Sequence, residues 1–257
     1  NLINEMGYDR CFIISPTFQS NYGLMKMLPI VDESDVYGDV DDVKVLDEIL
    51  EKINKIRDDM LQYEKDMREY KKFLGLLNDP MKRLPDQMLM TFYSNGHFEP
   101  PVWKYGIDSA GKPKPPMCCL LVDDAQASKI MTSRKLQNLV LRHRHLGSFP
   151  NEERPSIGCS MFFLMQTYRS VQGGCPRWLR QNQTCSMIFK TRDDSEVDFI
   201  ATELAGEIPK ESFKKAYEFA TDEPYGFLFC DLHKKDCHPS GLRKNFNRFL
   251  IPEDLEL

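Results

Sequence analysis

Five short apolar runs, each too brief for a helix, constrain the fold of this chain more than any other feature. They occupy residues 11–15, 117–123, 160–166, 184–190 and 226–232. Each is nearly continuous in apolar side chains and does not alternate, which is the pattern of parallel strands covered on both faces. Helical segments separate them, at 133–146, 195–205 and 210–220. Strands alternating with helices predict an α/β fold in three layers around a mainly parallel sheet. Apolar residues make up 41% of the 257, enough to bury a sizeable core and too many for wholesale disorder.

One stretch breaks this rhythm. Residues 41–77 hold no proline, no glycine before Gly75, and a dense mixture of Glu, Lys, Asp, Leu and Ile. Their apolar positions are Leu46, Ile49, Ile53, Ile56, Met60, Tyr63, Met67, Tyr70 and Leu74. Steps of three and four alternate throughout, which predicts a heptad seam sustained for about four repeats. A rod of that length overhangs a compact core, so the sequence predicts a helical insertion. Its partner is the helical stretch near 86–93, another subunit, or the flank of its own domain. A loop rich in proline and glycine, residues 96–116, then leads into the second strand.

Charge is unevenly spread. Between residues 125 and 192 stand eleven Lys and Arg against two acids, +9, which leaves −14 for the rest of a chain whose net charge is −5. A basic solvated surface accounts for this, and so does a face that meets phosphate. The longest apolar run is six residues, 117–122, so no transmembrane helix is expected. No basic-then-apolar leader opens the chain, and the eight cysteines follow no regular framework. Reduced thiols in a cytosol-like compartment, without secretion, are the expectation.

Candidate chemistry gathers at strand ends. The run 117–122 ends in Asp123 and Asp124. The carboxyl ends of strands are where open α/β sheets receive ligands. Adjacent carboxylates repel unless a proton or cation intervenes. Asp123 is therefore a candidate to hold a nucleotide-bound Mg²⁺ through water, leaving Asp124 to polarise an attacking water. A strand-capping Asp pair that starts a turn is the alternative. Gln166, at the end of its own run, suits sensing of a γ-phosphate, because an amide both donates and accepts. Arg180 is a fixed cation before the fourth run and a candidate arginine finger. Lys129, Arg134 and Lys135 lie in an acid-free stretch after the Asp pair and are candidates to track DNA phosphates. Near the C-terminal end, Cys230, His233, Cys237 and His238 have zinc-ligand chemistry, but Cys230 falls inside a strand.

The order of these motifs resembles the viral DNA-packaging ATPases of the FtsK/HerA branch of the P-loop NTPases, in their poxvirus and giant-virus type. The resemblance rests on Cys-Phe-Ile-Ile-Ser15-Pro16-Thr17, Leu-Leu-Val-Asp123-Asp124, Arg142-His143-Arg144-His145 before the strand ending in Gln166, and Leu179-Arg180-Gln181-Asn182. It covers most of the chain outside residues 41–93. It implies a RecA-like core that binds ATP and Mg²⁺ and assembles as a homo-oligomeric ring around double-stranded DNA. Capsid or portal-vertex proteins would be further partners, and the virion or host cytoplasm the location. Asp123 then matches the Walker B magnesium-site aspartate, Asp124 the water-activating acid, Gln166 the polar sensor and Arg180 the arginine finger. Residues 1–40 would open the ATPase core, 41–94 would be the insertion, and 95–257 would complete the core.

One departure is serious: Gly-x-x-x-x-Gly-Lys-Ser/Thr occurs nowhere in the sequence. In the family that phosphate loop precedes the Ser-Pro-Thr strand by one helix. The resemblance thus implies that residues 1–6 are the tail of that helix and that the loop lies upstream of Asn1. Two alternatives stand beside a packaging motor. One is a cellular FtsK/HerA-type DNA pump or helicase; the other is a non-catalytic interaction protein on a degenerate P-loop core.

Overall fold

The computed structural model describes residues 5–18, 23, 31–78, 85–150, 154–169 and 173–251. Of the expected helix tail 1–6, residues 1–4 lie outside this set, while Glu5 is helical and a turn follows at Met6 and Gly7. In chain order the first elements are β1 (Arg10–Ile14), β2 (Val36–Tyr37), α1 (Val45–Leu77), α2 (Asp86–Ser94), β3 (Cys118–Asp123), α3 (Lys129–Thr132), α4 (Arg134–Leu141) and β4 (Ser160–Leu164). Then come α5 (Arg177–Asn182), β5 (Cys185–Phe189), α6 (Asp194–Leu204), α7 (Lys210–Ala220), β6 (Phe227–Asp231), β7 (Leu242–Lys244) and β8 (Arg248–Phe249). The fold is mixed α/β and divides into two units, Asn1–Ala125 with Ser133–Leu164, and Gln126–Thr132 with Met165–Leu257. Among the described residues no helix is long and apolar enough to cross a membrane.

The first unit carries a parallel sheet of order β2-β1-β3-β4. Cys11, Phe12, Ile13 and Ile14 are all fully buried, as an unbroken apolar strand between two covered faces requires. On one face Cys11, Ile13 and Cys119 pack with Tyr8 and Phe18. Phe12, Ile14, Leu120 and Val122 alternate onto the other face and are equally buried.

The long helix α1 runs for 33 residues, about 50 Å at 1.5 Å per residue. Leu46, Ile49, Ile53, Ile56, Met60 and Tyr63 are buried, so the seam is real over its first two-thirds. Beyond Tyr63 it ends as a buried stripe: Met67 and Tyr70 are half-buried and Leu74 is exposed. Contact with α2 is made instead through Phe73, whose ring lies 5.2 Å from that of Phe92. Gly147 is needed beside the buried seam. Its φ is +62°, and a Cβ there would meet Ile157 at 3.0 Å and Ile53 at 3.1 Å.

A buried carboxylate fastens β2 to its surroundings. Asp35, with no exposed side-chain surface, accepts from Arg10 Nε at 2.7 Å and Arg10 Nη2 at 2.9 Å. Lys52 Nζ of α1 donates to Oδ1 as well, sharing it with Arg10 Nη2, at 2.9 Å. Two cations and three hydrogen bonds offset the desolvation of one buried charge.

The second unit corrects the sequence-based expectation. The runs 184–190 and 226–232 do not join a parallel sheet; they become β5 and β6 of an antiparallel sheet of order β5-β6-β7-β8. Helices α6 and α7 cover one face, where Ile188, Leu228, Cys230 and Leu242 pack with Ile200, Phe213 and Tyr217. Met187 and Phe189 point the other way and are exposed. The run reads as continuous because both faces are apolar, although only one is buried.

Truncating Asp35 leaves Arg10 and Lys52 without their shared counter-charge. Asp35→Ala is expected to destabilise the first unit by about 3 kcal/mol, measured by chemical denaturation. A change within 0.5 kcal/mol, the scale of a surface substitution, would contradict the role assigned to this triad.

Candidate functional site at the strand ends

Because β1 and β3 pair in register up to Ile14 and Val122, the next residues, Ser15 and Asp123, emerge together at the carboxyl edge of the sheet. Ser15 is fully buried, and its N–H donates to Tyr37 O at 3.0 Å. Its hydroxyl donates to Asp123 Oδ2 at 3.4 Å and lies 3.2 Å from Thr17 Oγ1. Thr17 in turn donates to Asp124 Oδ2 at 3.3 Å. Two hydroxyls on one strand end thus face two carboxylates on its neighbour. Asp124 adopts φ +50°, a left-handed conformation that Asp tolerates better than most residues and that turns the chain sharply off the strand.

Two carboxylates stand side by side in this cluster. Burial raises the Asp123 pKa above the ordinary carboxylate range, and the neighbouring charge of Asp124 adds to the shift. The hydrogen bond from Ser15 opposes both without cancelling them. Oxygen donors of this kind suit a hard cation, and Mg²⁺ commonly takes only one or two carboxylates, completing its shell with water and phosphate. Among the described residues no group of three or more His, Cys, Asp or Glu could hold a metal by itself. Two carboxylates with two hydroxyls are the kind of oxygen donors a shared, hydrated Mg²⁺ accepts.

Ser15 and Thr17 are the residues that sequence reasoning left without a role. They appear there only within the Ser-Pro-Thr motif. The available signal was their place just past an apolar strand that pairs with the one ending in Asp123.

The other sequence candidates have different surroundings. Gln166 lies exposed in the turn after β4 and, like Arg180, belongs to the second unit. Arg180 is held within that unit. Its Nη1 donates to Cys175 O at 2.8 Å, and its Nε sits 2.9 Å from Glu203 Oε2, although that N–H is not aimed at the oxygen. The guanidinium also lies over the rings of Tyr168 and Phe199, at 5.4 and 5.3 Å. Arg180 borders an open cleft of about 550 Å³ with Arg177, Gln183 and Glu203. The Tyr168 hydroxyl donates to the same Glu203 at 3.0 Å, and burial pushes its pKa up. In this arrangement Arg180 acts as a brace.

Lys129 opens α3 in the second unit, and Arg134 and Lys135 form the first turn of α4 in the first. All three are exposed, but Lys135 pairs with Asp47 at 2.5 Å. Cys230 is buried in the core face of β6, which removes it from any zinc set with His233, Cys237 and His238. His238 instead sits 3.1 Å from Arg243. No protein-family model, curated protein or solved structure matches this chain.

A raised carboxylate pKa has a definite stability sign. The native state binds the proton more tightly than the unfolded chain, so stability falls as pH rises from the ordinary Asp value through the folded one. Ionised Asp123 is therefore a cost at neutral pH. Asp123→Asn is expected to raise the thermal midpoint at pH 7 by ~1–3 °C and to lose any stabilisation that Mg²⁺ gives the parent. A lowered midpoint with an intact Mg²⁺ response would contradict the assignment.

Proposed function

We propose that the Ser15, Thr17, Asp123 and Asp124 cluster is the magnesium and water side of a nucleoside-triphosphate site in an ATP-driven motor that moves double-stranded DNA. The single observation that carries this reading is the pairing of two hydroxyls with two carboxylates at the carboxyl edge of a buried parallel sheet. Packaging of a viral genome is the biological setting implied by the motif order. Asp123 would hold the hydrated cation, whose chemistry is to neutralise the developing charge on the phosphates. Ser15 fixes the Asp123 carboxylate on one side. Asp124, oriented by Thr17, accepts a proton from the attacking water. By the motif order, Gln166 would be the sensor and Arg180 the arginine finger of the intact motor.

For DNA, Arg134 and Lys135 support the reading through their position. Cations in the first turn of a helix oppose its dipole, so helix stability is no reason for them to be there. A polyanion supplies one. Lys135 would exchange Asp47 for a DNA phosphate, at little loss because exposed pairs contribute little.

A second reading, the non-catalytic interaction protein, is favoured by one observation. Arg180 is tied to Glu203 and Cys175, where a finger would need a free guanidinium.

Two experiments separate these readings. Titration with a fluorescent ATP analogue is expected to show weak binding that needs Mg²⁺ and falls at least tenfold in Asp123→Asn. Because the phosphate loop is not in this sequence, phosphate release from ATP should stay close to background. Binding that ignores both Mg²⁺ and the substitution would favour the interaction protein. Replacing Lys129, Arg134 and Lys135 together by Ala is expected to weaken duplex DNA binding to a similar degree for unrelated sequences, with a shallower salt dependence. Unchanged affinity would remove these residues from the DNA path.

A further inference from the structure

The outer face of α4 and the turn that follows it carry charge that neither the core nor the strand-end cluster uses. Arg134, Lys135, Asn138, Leu141 and Arg142 are exposed, and their steps of three and four place them on one stripe of the helix. Leu136, Leu139 and Val140 lie on the opposite side and are buried. The stripe is cationic at both ends and uncharged in the middle, where Asn138 and Leu141 stand. Exposed Arg144, two residues past the cap, extends the far end.

That far end is a fastened turn. The Arg142 N–H donates to Asn138 O at 3.1 Å, and the His145 N–H to Arg142 O at 2.8 Å. The Cys159 N–H, just before β4, donates to His143 O at 2.9 Å, while the His143 ring meets Val140 O at 2.7 Å. Arg142 and Arg144 are thus presented from fixed backbone. Cations favour a helix C-terminus, but the effect falls off within the last turn, so it accounts for Arg142 and not for Arg144.

The charge is also uncompensated. Lys135 pairs with Asp47, whereas Arg134, Arg142 and Arg144 have no ion-pair partner among the described residues. No acid occurs from residue 125 to 151. The nearest in sequence are Asp124 and Glu152, of which Glu152 lies outside the described residues. Arg134 and Arg142 are eight positions apart, about 12 Å along the axis. The major groove of B-form DNA is about 12 Å wide, so the two cationic ends match the two phosphate backbones that border it. Asn138 and Leu141 then face the groove, where there is no phosphate to meet.

We propose that α4 lies across the major groove of a DNA duplex, with Arg134 and Lys135 on one backbone and Arg142 and Arg144 on the other. The inference rests on the DNA reading above and adds to it a second set of phosphate contacts.

The test is fluorescence anisotropy of a labelled duplex of about 20 base pairs with the whole chain, over a series of salt concentrations. Arg142→Ala with Arg144→Ala is expected to weaken binding at least tenfold for unrelated sequences. The slope of log affinity against log salt should fall by about two. Both side chains are exposed, so the fold should survive, which circular dichroism checks; if it does not, Arg142→Gln with Arg144→Gln takes its place. A single strand of the same length offers one backbone, so it should lose less than the duplex; an equal loss would overturn the bridging of two backbones. Undiminished duplex binding by the folded variant, while replacement of Lys129, Arg134 and Lys135 does weaken it, would overturn this inference and leave the DNA reading standing. A parent chain that binds no duplex would overturn both. A concentration-dependent oligomer lost in the variant, with duplex affinity unchanged, would assign the arginines to a second copy of the chain instead.

Discussion

The in-register pairing of β1 with β3 is the constraint on which the candidate site depends. Parallel strands buried on both faces have no freedom to slide, because a one-residue slip would send every side chain to the opposite face. With Ile14 opposite Val122, Ser15 and Asp123 must leave the sheet side by side. Burial of Ser15 and partial burial of Asp123 follow from that exit, and so does the raised carboxylate pKa. A slip would separate hydroxyl from carboxylate and dissolve the cluster.

Much of this was legible in the sequence, and the reason is periodicity. The predicted helix at 210–220 has the same bounds as α7, and the predicted strands at 11–15, 117–123 and 160–166 lie within two residues of β1, β3 and β4. Strand direction in the second unit was not legible. Phe189, Phe227 and Phe229 made β5 and β6 look buried on both faces, when their rings line an open surface. The heptad seam was legible as a helix but not in how far it is buried, since Met67, Tyr70 and Leu74 satisfy the spacing with too little around them. Asp35 carried no sequence signal, because its partners Arg10 and Lys52 are 25 and 17 residues away.

The site itself was half legible. A strand ending in Asp123 and Asp124 announces a charged sheet edge, but the hydroxyls that orient those carboxylates come from a strand more than a hundred residues earlier. Nothing in the local sequence couples them. Arg180 shows the converse: its type and position suggested a fixed cation facing phosphate, and nothing in the sequence announced that Glu203, Tyr168 and Phe199 lie around it.

The central claim is that the Asp pair and its two hydroxyls form a cation site for a phosphate-bearing ligand. A crystal of the chain grown with Mn²⁺ and a non-hydrolysable ATP analogue tests it directly, through an anomalous difference map. The account predicts a manganese peak joined to Asp123 directly or through a single water, beside Ser15. Manganese bound at other carboxylates, with the strand-end cluster bare, would contradict it.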